Sequence, residues 1–281
     1  MREAKLYIAA SKDDIPGSLF PLIHKSLSLA LEKSSRFYIA FSGGSLPSLL
    51  TNLAQSFTDA NIDPQWEKWH VLLADERLVP SSSPDSNLKA LKESFLDQVP
   101  IPPERIYGID ENLLADKSAM HENAAKEYQK RVFDEGVCKL EEREYLLDCV
   151  LLGFGPDGHT ASLFPNHELL TESQLLVAGI NDSPKPPPER ITLSMKVFNE
   201  HSRHIIFVGA GDSKAPILKD IFDQIHLSAE DEKSKQCAVE MKPLSEQQYP
   251  CGMLRPRGGG LVYITDSAGG QDLTFAQNCC S

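Results

Sequence analysis

Long apolar runs are missing from this sequence. None approaches the roughly 18–20 residues that a membrane-spanning helix requires. A transmembrane helix is therefore excluded, and no membrane partner is expected. A basic excess is missing too: 28 Lys and Arg stand against 40 Asp and Glu, a formal net charge of −12. A general nucleic-acid binder carries a basic stripe, so no nucleic-acid partner is expected. A small anionic substrate remains open, because a few local cations dominate a pocket. The six cysteines, Cys138, Cys149, Cys237, Cys251, Cys279 and Cys280, have neither zinc-site nor disulfide-framework spacing. A reducing compartment is expected. The opening MREAKLYIAASKDD shows no secretory apolar region and is too acidic for a transit peptide, so the expected location is the cytosol. The closing Asn278-Cys279-Cys280-Ser281 lacks the order needed for prenylation. Neither an internal repeat nor a separating linker is visible. One domain over 1–281 is expected, with a flexible tail over about 267–281.

What is present is an alternation of strand and helix signals. Short apolar stretches at Lys5–Ala10, Arg36–Phe41, Trp69–Ala74, Cys149–Leu152, Leu175–Ile180, Arg190–Leu193, His204–Val208 and Leu261–Thr265 read as strands. Helical spacing predicts helices over Asp13–Lys33, from Pro47 through Phe57, over Asn87–Leu96, over about Ser118–Cys138, and from Lys214 to about Phe222. Pro184, Pro186, Pro187 and Pro188 make a stiff exposed loop. Ser228–Lys235 is polar and reads as a mobile loop. The alternation implies right-handed βαβ units: an α/β fold with a mostly parallel sheet and helices on both faces.

The chain is organised around Asp148–Pro165, DCVLLGFGPDGHTASLFP. A buried strand runs into a glycine turn, and His159, Thr160, Ala161 and Ser162 then open a short helix or turn. An open α/β sheet places its chemistry at such strand carboxyl ends. The turn satisfies G-x-G-x-x-G in form. A dinucleotide reading is nevertheless poor, since Asp157 would repel a pyrophosphate and the turn lies past mid-chain. A lone histidine is more often structural. Here Asp157 stands two residues away, close enough to orient the ring, and a neutral imidazole is the natural base near neutral pH. Ser162 does not sit in a nucleophile elbow, so Thr160 and Ser162 read as caps or polar wall. Ser42-Gly43-Gly44-Ser45, between a strand and a helix, offers backbone N–H groups to an anion, the alternative being a plain turn. It is not a P-loop, since no Gly-Lys-Ser/Thr follows. Asp75-Glu76-Arg77 also ends a strand. By default it is a solvated charge run, but Arg77 could pair with a phosphate. Arg190 and Lys214 are each surface charges by default. With Arg77 and the Ser42–Ser45 turn they supply what a phosphate dianion needs.

With these residues assembled, the sequence resembles the 6-phosphogluconolactonase family over nearly its whole length. The likeness rests on FSGGS at 41–45, DER at 75–77, SNLKALKESFL at 86–96 and PIPPERIYGI at 100–109. It continues through GFGPDGHTASLFP at 153–165, RITLS at 190–194, VGAGDSKAPIL at 208–218 and LVYITDSA at 261–268. The resemblance implies a three-layer α/β/α sandwich, a modified Rossmann-like fold shared with glucosamine-6-phosphate deaminase and ribose-5-phosphate isomerase. It implies hydrolysis of 6-phospho-D-glucono-1,5-lactone, with no metal or organic cofactor; a monomer is the expectation for the chain. By likeness His159 is the base and Asp157 its partner. Ser42, Gly43, Gly44, Ser45, Arg77, Arg190 and Lys214 surround the substrate, mainly its phosphate. Leu46 stands where related sequences often carry threonine, and Ser183–Pro188 is unusually rich in proline.

The chemistry fits these residues. A lactone carbonyl is already electrophilic, so no covalent nucleophile is needed. His159 would deprotonate water for attack on C1 and return the proton to the leaving ring oxygen. Backbone N–H groups of the glycine turn, or Arg77, would receive the oxyanion. Two rivals are weighed. The deaminase branch carries an acidic residue and an asparagine downstream of its histidine, where this chain reads Thr-Ala-Ser-Leu-Phe-Pro. A non-catalytic sugar-phosphate sensor would carry a DNA-binding segment, and none is attached.

Overall fold

The computed structural model describes residues 3–134, 144–230 and 234–275. Its strands are β1 (Glu3–Ala9), β2 (Phe37–Phe41), β3 (Trp69–Leu73), β4 (Asp75–Arg77), β5 (Leu147–Gly153) and β6 (Val177–Ile180). β7 (Arg190–Leu193), β8 (Ser202–Val208), β9 (Phe222–Glu230), β10 (Ser234–Met241) and β11 (Gly260–Asp266) follow. The helices used below are α1 (Ile15–Lys33), α2 (Leu53–Asp59), α3 (Asn87–Ser94), α4 (Met120–Gln129), α5 (Met195–Glu200) and α6 (Ala215–Ile221).

Period-two alternation of apolar residues makes one sheet with two buried faces. Tyr38, Ala40, Val150, Leu152, Ile205, Phe207 and Tyr263 pack on one face, against α4, α5 and α6. Phe37, Ile39, Phe41, Leu151, Ile206, Val208 and Ile264 pack on the other, against α1, α2 and α3. The sheet has eight strands in the order β3-β2-β5-β8-β11-β1-β10-β9. Pairings from β3 through to β1 are parallel, and β10 and β9 close the far edge antiparallel. A second, antiparallel sheet, β4-β7-β6, stands beside the end of β3. The expected α/β sandwich with a mostly parallel sheet is therefore found.

Several local expectations are corrected. The helix expected from Pro47 is interrupted: Pro47–Leu49 is one tight turn, and α2 begins only at Leu53. Ser48 Oγ donates to Ser45 O at 2.8 Å and Thr51 Oγ1 to Ser48 O at 3.0 Å, local bonds that compete with a helix. The helix expected from Ser118 starts at Met120, because Asp116 accepts both Ser118 N and Ser118 Oγ in a turn. After Gln129 it widens into a π turn over Lys130–Asp134, and its expected end at Cys138 lies outside the described residues. The Ser228–Lys235 stretch is mainly strand rather than loop, its described positions belonging to β9 and β10. The reason is alternation that polar neighbours mask: Ile225, Cys237, Val239 and Met241 all turn into the core. At the carboxyl terminus, Ser267 Oγ donates to Ala10 O at 2.9 Å and Gly269 N to Asp266 Oδ1 at 2.8 Å. Residues 276–281 of the expected tail lie outside the described ones.

Candidate active site

The strand order fixes where a site can form. Within the large sheet β2 and β5 are neighbours, with β3 beyond β2 on one side and β8 beyond β5 on the other. The chain leaving β5 first passes through β6 and β7 of the small sheet before it returns as β8. The segments leaving β2 and β5 and the small sheet enclose a crevice at the carboxyl ends of these neighbouring strands. Ser42 follows β2 and Gly153 ends β5. Ser42 N donates to Leu151 O at 3.0 Å, and Ser42 Oγ accepts from Gly153 N at 2.8 Å, clasping the crevice floor. The resulting cleft, about 190 Å³, is lined by Ser42, Gly43, Gly44, Ser45, Arg77, His159, Arg190 and Lys214 among others. Asp157 lies just behind His159. The candidate residues from five separate stretches thus meet in one place. A larger cavity of about 520 Å³ lies elsewhere, beneath α1 near Gly260. None of the residues singled out from the sequence lines it.

The turn after β5 positions the dyad. Gly155 N donates to His159 O at 2.9 Å and Gly158 N to Gly155 O at 3.0 Å, folding the chain back on itself. A Cβ at Gly155 would fall 2.1 Å from the His159 ring, so only glycine lets the ring lie there. His159–Ser162 forms a bridged turn and not a helix, with Ala161 at φ 48°. His159 Nδ1 is hydrogen-bonded to Asp157 Oδ1, and the ring stacks on Phe164 with centroids 5.0 Å apart. A carboxylate oxygen can only accept, so Nδ1 carries the proton and Nε2 keeps its lone pair toward the cleft. Burial pushes the His159 pKa down; Asp157 pulls it back up, and a lysine, Lys185, pushes it down again. Burial pushes the Asp157 carboxyl up, but His159 and Lys185 outweigh it and hold its pKa at about 2. The imidazole is thus neutral, oriented and basic at neutral pH.

Cations line the same cleft. Arg77 Nη1 donates to Asp85 O at 2.6 Å, while its buried Nε has no hydrogen-bond partner among the described residues. An unpaired buried donor beside a polar cleft is the signature of a site that awaits an acceptor. Lys214 Nζ donates to Phe154 O at 2.6 Å; burial and then the charge of Lys185 lower its pKa. Arg190, 3% exposed, donates from Nε to Pro187 O at 2.9 Å and from Nη2 to Lys185 O at 2.6 Å and Pro186 O at 3.3 Å. Its Nη1 reaches Ser162 Oγ at 3.4 Å. Most of this guanidinium therefore holds protein carbonyls. Gly43 has its place for a steric reason: a Cβ there would fall 1.8 Å from Asn87 Oδ1.

The Asp75-Glu76-Arg77 run is not a solvated loop. Asp75 and Glu76 are buried, and the three residues form β4. Asp75 Oδ2 accepts from Ser162 Oγ at 2.8 Å, which ties the two strand-end loops together. Glu76 accepts from Arg77 N, Asn87 N, Leu88 N and Ser86 Oγ at 2.7–3.1 Å, so it anchors the first turn of α3. Thr160 Oγ1 donates to Gly153 O at 2.8 Å. Thr160 and Ser162 are thus braces for the turn. The amides of Gly153, Gly155 and Gly158 all have internal acceptors, which removes them as oxyanion donors.

Sequence reasoning passed over Lys185. Its ammonium lies 3.1 Å from Asp157 Oδ1 and 3.0 Å from His159 Nδ1. Four flanking prolines mark the loop as stiff, but nothing local says that it folds back over His159. The same holds for Asn87, whose Nδ2 donates to Asp75 O at 2.8 Å.

Comparison with known proteins identifies the family. The profile of the family described as glucosamine-6-phosphate isomerases/6-phosphogluconolactonase matches residues 10–260. Rat 6-phosphogluconolactonase is 33% identical over 264 residues, covering 93% of this chain and 90% of the rat protein. Arabidopsis thaliana 6-phosphogluconolactonase 3, chloroplastic, is 43% identical over 188 residues, covering 65% of this chain. The chain spans 55% of that relative and 66% of similar rice relatives. In structure, 6-phosphogluconolactonase from Trypanosoma cruzi superposes with a TM-score of 0.73 at 24% identity, over 96% of this chain and 97% of the other. A monomeric glucosamine-6-phosphate deaminase superposes with a TM-score of 0.65 at 14% identity, over 94% and 98%. Both show the shared fold. By profile, by sequence identity and by architecture, the chain belongs to the glucosamine-6-phosphate isomerase/6-phosphogluconolactonase family.

Proposed function

We propose that the protein hydrolyses 6-phospho-D-glucono-1,5-lactone to 6-phospho-D-gluconate, the second step of the oxidative pentose phosphate pathway. The observation that carries this reading is the Asp157–His159 pair, with Nε2 free toward a cleft that also gathers Arg77, Arg190 and Lys214. His159 Nε2 removes a proton from water as the water oxygen bonds to C1. The C1–ring-oxygen bond then breaks, and the imidazolium returns the proton to the ring oxygen. Asp157 stays ionised and steadies the imidazolium. With the glycine-turn amides engaged, the developing oxyanion falls to Arg77 Nε or to amides of the Ser42–Ser45 loop. The phosphate is held by that loop, Lys214 and the outward edge of Arg190. Helix-dipole help at the loop is slight, because only one tight turn follows it. The proposal extends to a monomeric protein of the cytosol that needs no cofactor, although some relatives carry the name chloroplastic.

The test is a paired assay. With spontaneous lactone hydrolysis subtracted, wild-type protein consumes phosphogluconolactone and leaves glucosamine 6-phosphate untouched. His159→Gln lowers kcat by roughly 10²–10⁴-fold, the usual worth of general acid–base catalysis, while product affinity stays within a few-fold. A His159→Gln protein with wild-type kcat ends the base assignment, and turnover of glucosamine 6-phosphate ends the lactonase one.

A further inference from the structure

We propose that Lys185 is a positioning residue of the dyad: its ammonium, delivered by a proline loop that Arg190 clamps, fixes the Asp157 carboxylate and through it the His159 tautomer. The inference rests on the reading of His159 as the base.

Three contacts converge on one ammonium. Lys185 Nζ lies 3.1 Å from Asp157 Oδ1, 3.0 Å from Asp157 Oδ2 and 3.0 Å from His159 Nδ1. It bridges both carboxylate oxygens, so the carboxylate plane cannot turn while the bridge stands. Asp157 needs such a brace, since its side chain is 40% exposed and sits on a turn. Water alone would let it rotate away from the ring. Asp157 has no proton, so Nδ1 bonds the carboxylate only as Nδ1–H. In that tautomer the 3.0 Å approach of the Lys185 ammonium to Nδ1 is a close contact and not a hydrogen bond, and the ammonium acts through the carboxylate.

A lysine normally wanders. Here the chain that carries it does not. Arg190 donates to the carbonyls of Lys185, Pro186 and Pro187, and Ser183 Oγ donates to Lys185 O at 2.8 Å. Lys185 N in turn donates to Ser183 Oγ at 3.3 Å. Pro184, Pro186, Pro187 and Pro188 each fix a backbone angle as well. Arg190 itself is buried at the start of β7, where it pairs with Arg77 of β4 in register. A cation assigned from the sequence to the substrate thus acts largely on its own loop, and the loop brings a second cation to the dyad.

The charges facing His159 are Asp157 and Lys185 at contact, with Asp75 next. Arg77, Arg190 and Lys214 line the same cleft. In this setting Lys185 opposes protonation of the ring. It weakens the imidazole slightly as a base and strengthens the imidazolium as an acid, which speeds return of the proton to the leaving ring oxygen.

The experiment compares Lys185→Met, Lys185→Gln and Lys185→Arg in the full chain, measuring kcat, KM and the pH profile of kcat/KM on phosphogluconolactone. Expected for Met and Gln are a kcat lower by about ten-fold, typical of coupling between touching residues, and a KM within two-fold. The acid limb moves up by about one pH unit, because a cation beside the imidazole is gone. Arginine restores most of both. Nitrogen-15 spectra of the His159 ring show the Nδ1–H tautomer in wild type and a tautomer mixture in Lys185→Met. Unchanged kcat and an unmoved acid limb overturn the proposal, as does a KM that rises more than kcat falls, which would make Lys185 a substrate ligand. Lys185→Gln keeps a neutral polar end at this half-exposed position and decides the matter if Lys185→Met folds poorly. If His159→Gln is inactive while the Lys185 variants are silent, only this proposal falls. If His159→Gln is active, the base reading falls with it.

Discussion

His159 and Asp157 lie two residues apart on a turn that needs glycine at position 155, and their partnership sets the pH response. On the proposed mechanism the active form is the neutral ring. Burial lowers the His159 pKa from 6.5, so neutral ring persists below that value. Consequently kcat/KM falls on the acid side through a midpoint below 6.5 and levels off as the pH rises past neutrality. A pH series with the spontaneous rate subtracted checks this; a midpoint above 6.5 contradicts the described surroundings of the ring. The dyad was legible in the sequence because both partners fall inside one nine-residue motif, with a spacing that a tight turn makes reactive. Lys185 was not, since its partner lies 28 residues away and only tertiary folding brings them together. Arg190 was legible as a buried-site cation but not in its main contacts, which are carbonyls of its own loop.

Elements show the same division. Strands that carry short continuous apolar runs, such as β2, β5, β8 and β11, could be read directly. The β9–β10 hairpin could not, because its outward positions are polar enough to mimic a loop. The short β4 reads as a charge run because its two buried carboxylates are justified by partners that only folding supplies, Ser162 for Asp75 and the start of α3 for Glu76. Glu76 carries the consequence. It receives three backbone amides and one hydroxyl, two of the amides from the start of α3. Burial raises its pKa even against those bonds. Glu76→Gln places an amide NH₂ against donors and leaves at least one of them unsatisfied. Its expected cost is about 1–3 kcal/mol of stability. Urea unfolding measures it, and a wild-type midpoint would remove Glu76 from the account of how α3 is held. Loss of α3 position would also displace Asn87, and with it the wall behind Gly43.

At the scale of the molecule, one sheet shares its two faces between two apolar clusters, and both meet the cleft loops. Trp66 and Trp69 sit together on one face, with ring centroids 4.8 Å apart. The helices on the opposite face include α4, α5 and α6. If the chain is a single domain, tryptophan fluorescence and far-ultraviolet circular dichroism lose their signals at the same urea concentration. Two separated midpoints would divide the chain into independently folding parts.

The clasp between Ser42 and Gly153 reaches beyond catalysis. Its two partners are 111 residues apart, and Lys214 meets Phe154 across a further 60. During synthesis the Ser42–Ser45 loop emerges long before the turn that completes the cleft, and Lys214 arrives later still. Until then the loop is held by nothing on its open side, and no shorter amino-terminal piece of the chain contains a finished cleft. The complete cleft is therefore acquired late, after about three quarters of the polypeptide has been made.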